Sequence, residues 1–210
     1  MVTTTRPDPA VEETPVRRRI LDAAFSAFIE AGYAATTMLE IARRARVSKR
    51  ELYAVVGNKQ DMLVTCIRER SRRLRPPEDL PEPSDRATLE RVLLGVGTQL
   101  LRETTQETVI AAFRLAIAEA VRAPEVAAAL DTHGRRTGRA ELTTVMAEAQ
   151  TRGLLDGQPA ELAEQFAGLL WGDVMMTLLL RVDEPPDVQE IDRRAHRATE
   201  AFLRLHPRPG

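Results

Sequence analysis

The stretch IARRARVSKRELYAVV, Ile41 to Val56, holds two short apolar patterns at helical spacing. Ile41, Ala42 and Ala45 form the first; Leu52, Val55 and Val56 form the second. Only Arg46, Val47 and Ser48 separate them, too few residues for a roomy antiparallel hairpin, so the two helices must cross steeply. Each carries its own start signal. Thr36 or Thr37 stands before a first helix with Glu40 three places after Thr37, and Ser48 stands three places before Glu51, the pattern of a capping box. The small side chains of Ala42 and Ala45 permit a close crossing.

Working outward, residues 17–31 carry Ile20, Ala24, Ala27 and Phe28 at helical spacing, widened by Leu21 and Phe25, with Gly32 as the stop. Leu39, Ile41, Ala42, Ala45, Val47, Leu52 and Val56 are expected to pack against Ile20, Ala24 and Phe28. The result is a three-helix unit containing a helix-turn-helix. The third helix then turns Lys49, Arg50, Tyr53 and Ala54 outward, a face that suits the major groove of DNA. Gly57-Asn58 ends it, and a fourth helix is expected over 59–74 with Met62, Leu63, Cys66 and Ile67 inward.

The charge is divided in the same way. The 210 residues carry a net −1, yet residues 15–75 hold 14 Lys and Arg against 6 Asp and Glu, a net +8. Residues 76–210 hold 15 against 22, a net −7. A basic block before an acidic remainder points to a polyanionic partner for the first segment. The two lysines of the chain, Lys49 and Lys59, both lie in the basic block. No apolar run reaches the roughly 18–20 residues that span a bilayer, and residues 1–14 lack the pattern of a signal peptide and read as a disordered arm. A cytoplasmic protein is expected. The single cysteine, Cys66, sits among apolar neighbours and reads as a buried small hydrophobe.

The segment RPPEDLPEPSD, residues 75–85, has four prolines in eleven residues and cannot continue a helix. It marks the expected boundary: an arm over 1–14, a helix-turn-helix domain with its linking fourth helix over 15–75, a proline-rich linker over 76–84, and a regulatory and dimerisation domain over 85–210. Five helices are expected in the last, over 85–103 with Ser84 as cap, 105–122, 125–151, 160–181 and 187–206. The fold class is therefore all-α, with about nine helices. Residues 166–180 are apolar nearly all round, and Val188, Ile191, Ala195, Ala198, Phe202 and Leu205 form a coiled-coil-like seam. Two readings stand for these faces: a four-helix dimer interface built by the last two helices of each subunit, or an intramolecular core.

The stretch from Arg17 to Leu63 resembles the DNA-binding domain of the TetR/AcrR family of one-component bacterial repressors. Helix lengths, the Gly-Tyr turn, the Leu52-Tyr53 pair and Asn58-Lys59 all fall in register; beyond the linker the likeness is weaker. The resemblance implies that Thr37 offers a helix N-terminus to a DNA phosphate. It also implies that Lys49, Arg50 and Glu51 open the recognition helix, that Tyr53 contacts the backbone, and that Lys59 grips phosphate. Ser48 caps that helix at the same surface. Two departures stand out. Arg46 replaces the glycine common in the turn, where it adds a cation beside the DNA, and Val55 replaces a residue able to hydrogen-bond phosphate. Glu51 either accepts from cytosine or caps its own helix.

The resemblance further implies a homodimer on a double-stranded operator, with a small-molecule effector bound in the larger domain and coupled to the spacing of the recognition helices. Half-sites one turn of DNA apart, roughly 34–36 Å, favour one dimer geometry, and an effector favouring another releases the DNA. The candidate pocket residues are Phe113, Arg114, His133, Trp171 and Met175. For each the alternative is core packing, and for Arg114 an ion pair with Asp173. Gly134 and Gly138 mark either close packing or a hinge. A regulator without a small-molecule ligand, controlled by a protein partner or by concentration, is the competing reading. Catalysis finds no support: His133, His196 and His206 are scattered, Cys66 is alone, and no phosphate-binding glycine loop appears. No cofactor or metal is expected.

Overall fold

A computed structural model describes residues 14–77 and 79–207. The arm expected over 1–14 lies outside the described residues except for Thr14, whose hydroxyl caps the first helix by accepting from the Arg17 N–H at 3.2 Å. Every regular element among the described residues is helical. These are α1 (Pro15–Ala31), α2 (Met38–Ala45), α3 (Lys49–Val56), α4 (Lys59–Ser71), α5 (Arg86–Thr104), α6 (Glu107–Glu119), α7 (Pro124–Leu130), α8 (Arg136–Thr151), α9 (Pro159–Trp171), α10 (Val174–Leu180) and α11 (Val188–Leu205). A 3-10 turn, Arg72–Leu74, extends α4. A π turn, Asp131–Arg135, joins α7 to α8, so residues 124–151 form one continuous helix as the sequence suggests.

The first core is built where the helix-turn-helix pattern places it. Ile20, Ala24, Phe28, Ile41, Ala45 and Leu52 are fully buried, and Met62, Cys66 and Ile67 of α4 close the bundle. Each large side chain in that set contributes about 1.5–3 kcal/mol through removal from water. Leu39 is a correction: it points outward with 68% of its surface exposed. On α2 the positions facing α1 are Ile41, Ala42 and Ala45, and Leu39 falls on the opposite side of that short helix. The same core continues into Ala116, Ala123, Val126, Ala129 and Leu130, so the end of α6 and all of α7 rest against the helix-turn-helix unit.

The second core joins α5, α8, α9 and α11. Here one expectation is corrected, and the α11 seam follows one of the two readings offered for it. Residues 160–181 form two helices rather than one, because Gly172 takes a positive φ of 48° and ends α9, with its N–H bonded to the Gly168 carbonyl. The α11 seam is taken up within the chain: Ile191, Ala195, Ala198 and Phe202 are buried, and Phe202 meets Phe166 edge to face at 5.4 Å. Apolar periodicity identifies a buried stripe but not whose helix buries it. Val188 and Leu205, at the two ends of the seam, remain exposed. The cap of α5 also shifts by one residue, to Asp85, which forms a reciprocal capping box with Thr88.

Candidate functional site

The outward surface of α2 and α3 follows from their caps. Thr37 Oγ1 accepts from the Glu40 N–H at 3.2 Å, and Ser48 Oγ accepts from the Glu51 N–H at 3.1 Å. Each cap fixes where its helix begins, and so where its remaining N-terminal N–H groups point. The Glu40 carboxylate turns to Arg43 and Arg44 at 3.0 and 2.7 Å. Those hydrogen bonds hold its carboxyl well below the usual range, at about 2. Arg44 also reaches Glu30 of α1 at 2.7 Å. The α2 arginines are thus ordered by carboxylates, and Glu51 is left as a first-turn residue of α3.

Arg46 ends α2 in the left-handed conformation, φ 54° and ψ 48°, with its N–H on the carbonyls of Ala42 and Arg43. A residue with a Cβ pays about 1 kcal/mol to stand there, and its side chain is exposed. Lys49, Arg50 and Tyr53 share the exposed face of α3, with Lys49 Nζ 5.9 Å from the Tyr53 ring centre. Thr37, Arg46, Ser48, Lys49, Arg50 and Tyr53 are therefore all exposed on α2, α3 and the turn between them.

Lys59 is placed otherwise. Its ammonium donates to the carbonyls of Tyr33 at 2.9 Å, Thr36 at 3.1 Å and Ala34 at 3.4 Å, and lies over the Tyr33 ring. Three donors meet three acceptors. In this arrangement Lys59 holds the α1–α2 turn rather than reaching outward. Two further residues of this unit escaped sequence reasoning. Arg19 Nε donates to the Ala45 carbonyl at 2.8 Å and ties α1 to the end of α2. Glu119, buried at the end of α6, accepts at Oε1 from the Ala34 N–H at 3.2 Å. Neither has a local pattern, because each acts on a residue remote in sequence.

Between the two cores lies a cavity of about 500 Å³. Its wall draws on Phe25 of α1, Ile67 and Arg70 of α4, Leu100, Glu103 and Thr104 of α5, Ala112 and Phe113 of α6, Gly134 of the π turn, Gly138 of α8, Trp171 of α9 and Met175 of α10. Of the five candidate pocket residues, Phe113, Trp171 and Met175 are in the wall. Trp171 is oriented by its indole N–H, which donates to Thr104 Oγ1 at 3.0 Å.

Arg114 and His133 are corrections. The Arg114 guanidinium donates to the carbonyls of Leu178 and Leu179, closing the end of α10, and neither lines the cavity nor pairs with Asp173. His133 accepts from Arg68 Nε at 3.4 Å on the far side of the π turn; burial, then Arg68, lower its pKa. Sequence reasoning missed the arginines of the wall, Arg70, Arg135 and Arg139, and of these Arg70 belongs to α4. It stacks on Phe25 at 3.6 Å and donates from Nη1 to the Cys66 carbonyl at 3.1 Å. Burial pulls its guanidinium below the ordinary arginine range.

Gly134 and Gly138 both face this space. A Cβ on Gly134 would stand 3.3 Å from Leu130 Cδ1, so the π turn is closely packed there. Cys66 is buried as expected, and burial pushes its thiol up to about 12. Among the described residues no group of three or more His, Cys, Asp or Glu side chains is arranged to hold a metal ion. No helix among them is long and apolar enough to cross a membrane.

Comparison with known proteins agrees with this arrangement. Residues 20–66 match the family described as bacterial regulatory proteins, tetR family, and residues 91–206 match the AefR-like transcriptional repressor C-terminal domain. The transcriptional regulator BetI of Rhizobium meliloti is 32% identical over 129 residues, 61% of this chain and 64% of that protein. The aligned stretches span 45% and 64% of the lengths of the two curated relatives matched. A TetR transcriptional regulator from Agrobacterium tumefaciens superposes with a TM-score of 0.76 at 27% identity, over 92% of this chain and 95% of that one. The flavonoid-responsive regulator FrrA does so with a TM-score of 0.73 at 28% identity, over 92% and 98%.

Proposed function

The chain belongs to the TetR family of bacterial transcriptional regulators, and from that membership we propose that it is a cytoplasmic, dimeric repressor released from its operator by a small molecule. Its relatives are regulators of transcription, not enzymes.

The observation that carries the ligand reading is the cavity wall. It includes Phe25 of α1 and Ile67 and Arg70 of α4, which are part of the DNA-binding unit, beside residues of the larger bundle. A molecule that fills this space touches both. A cavity of about 500 Å³, largely apolar with a few polar groups, has the dimensions usual for organic ligands. FrrA, described as flavonoid-responsive, lends further support. The regulator without a ligand has no comparable feature in its favour.

In this account Thr37, Ser48 and Arg46 meet DNA phosphates, while Lys49, Arg50 and Tyr53 present side chains to the groove and the adjoining backbone. Lys59 acts indirectly by holding the turn that positions α2. Glu119 carries the signal: α6 bears Phe113 and Ala112 in the cavity wall and, about two turns on, the carboxylate bonded to Ala34. A shift of α6 on ligand binding moves the α1–α2 turn. The dimer face is proposed on the outer side of α9 and α10, where Leu169, Met176 and Leu180 are exposed, with Val182 beyond. Binding of DNA from around the protein's own gene, followed by fluorescence anisotropy, tests the reading, since release by one chemical class of added ligand is the expected result.

A further inference from the structure

The cavity wall contains three arginines, and two of them have a carboxylate partner. Arg135 pairs with Asp131 at 2.8 Å, a carboxylate that Arg136 outside the wall shares at 3.0 Å, and Arg139 pairs with Glu164 at 3.2 Å. Arg70 differs: it has no carboxylate within 4.0 Å among the described residues, and its one hydrogen bond to the protein, from Nη1, goes to the neutral Cys66 carbonyl. A half-buried guanidinium with donors to spare, set in an apolar wall, is costly unless a partner arrives. The stack on Phe25 fixes the plane of the group without neutralising it.

Asp22, beyond 4.0 Å, also favours the Arg70 cation from outside the wall, and within the wall Glu103 accepts from Gln106 Nε2 at 2.8 Å. With Thr104 beside it, Glu103 disfavours a second negative charge and accepts from a hydroxyl or N–H. We propose that the ligand of this cavity is an amphipathic monoanion, an alkyl or aryl carboxylate, whose acidic group pairs with Arg70 while its apolar body lies against Phe113, Trp171 and Met175. This rests on the reading of the cavity as the effector site. It assigns the anion contact to α4, the last helix of the DNA-binding unit, so that neutralising Arg70 and filling the cavity act on the same element.

Trp171 is the sole tryptophan of the chain and lies in the wall, so its fluorescence reports binding directly, without DNA. The probes are decanoate and 4-phenylbutyrate, each compared with its methyl ester, alcohol and amine of the same skeleton, on the intact protein and on R70Q and R70K. The carboxylates are expected to bind roughly ten- to hundredfold tighter than their neutral counterparts, the value of a charge-assisted pair. R70Q should erase that preference while still binding the esters and alcohols, which shows that it folds; R70K should restore part of it. Equal or tighter binding by the esters, alcohols or amines overturns the anion while leaving the cavity reading in place. A preference that survives in R70Q overturns the role of Arg70. Silence from every probe, charged and neutral, contradicts the cavity reading as well as the proposal.

Discussion

Glu119 at the end of α6 and Ala34 in the turn before α2 are joined by a hydrogen bond of 3.2 Å from the Ala34 N–H to Glu119 Oε1. The two residues lie 85 positions apart, and one belongs to the helix that walls the cavity while the other belongs to the DNA-binding unit. A Cβ placed on Gly32 would stand 2.9 Å from the same oxygen. The carboxylate therefore fits against a turn shaped to receive it.

Glu119→Ala removes that link and leaves the Ala34 N–H without its partner. Stability to urea should fall by about 1–2 kcal/mol. Ligand that still binds the cavity should release DNA less completely, because the connection between α6 and the turn is gone. Unchanged coupling between ligand and DNA in this variant would assign the signal to another path.

Gly32→Ala probes the contact from the other side. Gly32 has φ 85° and ψ 155°, a conformation open essentially to glycine, so alanine there costs about 1–3 kcal/mol in backbone strain. The added methyl also presses on Glu119. In the Glu119→Ala background the second effect disappears, so the cost of Gly32→Ala measured by denaturation should be smaller there. Strict additivity would mean that the two residues do not press on one another.

The sequence made the helix-turn-helix legible because its determinants are local. Thr37 and Ser48 cap helices three residues away, and the apolar spacing of Ile41 to Val56 reports the inner face directly. Cys66 was readable for the same reason. What escaped depends on neighbours distant in the chain. Nothing near Arg114 or Arg70 in sequence tells which of them faces a cavity, since that is decided by where α10 ends and where α1 places Phe25. Lys59 looked like a free cation until the turn at Tyr33 to Thr36 folded its carbonyls around it. The α11 seam was correctly apolar, yet its burial against α5 and α9 is a fact of topology that periodicity does not contain.

Arg46→Gly relieves the left-handed strain at that position, φ 54° and ψ 48°. Glycine's greater freedom in the unfolded chain offsets part of the gain, so a net stabilisation of up to about 1 kcal/mol is expected by denaturation. DNA affinity should fall at the same time, with a shallower dependence on salt, since each lost phosphate contact removes roughly 0.9 from the slope. An unchanged slope would place Arg46 away from the phosphates.

The proposed dimer face is tested by Met176→Arg and Leu180→Arg. Both residues are largely exposed, at 59% and 64%, so neither substitution disturbs a core within the chain. Sedimentation should show each variant shifted toward monomer at concentrations where the parent protein is dimeric. A persistent dimer would move the interface elsewhere.

Cys66 gives a pH signature. Its thiol is raised from 9.0 to about 12 by burial, so the unfolded chain ionises first as pH rises. The stabilisation from keeping the thiol neutral is complete below pH 9 and is lost progressively between about 9 and 12. Cys66→Ala should flatten that part of the stability profile, and thiol reagents should label the native protein slowly at pH 7 and rapidly in urea.

The exposed face of α3 is proposed to read an operator. The direct measurement is fluorescence anisotropy with fragments flanking the protein's own gene, titrated across salt, for the parent protein and for Tyr53→Ala and Arg50→Ala. One fragment should bind far more tightly than the rest; with both variants folded as judged by circular dichroism, Arg50→Ala should lose that preference and Tyr53→Ala should weaken binding to every fragment. Equal, weak, salt-sensitive binding to every fragment, unaffected by either substitution, would contradict the account and leave only a basic surface.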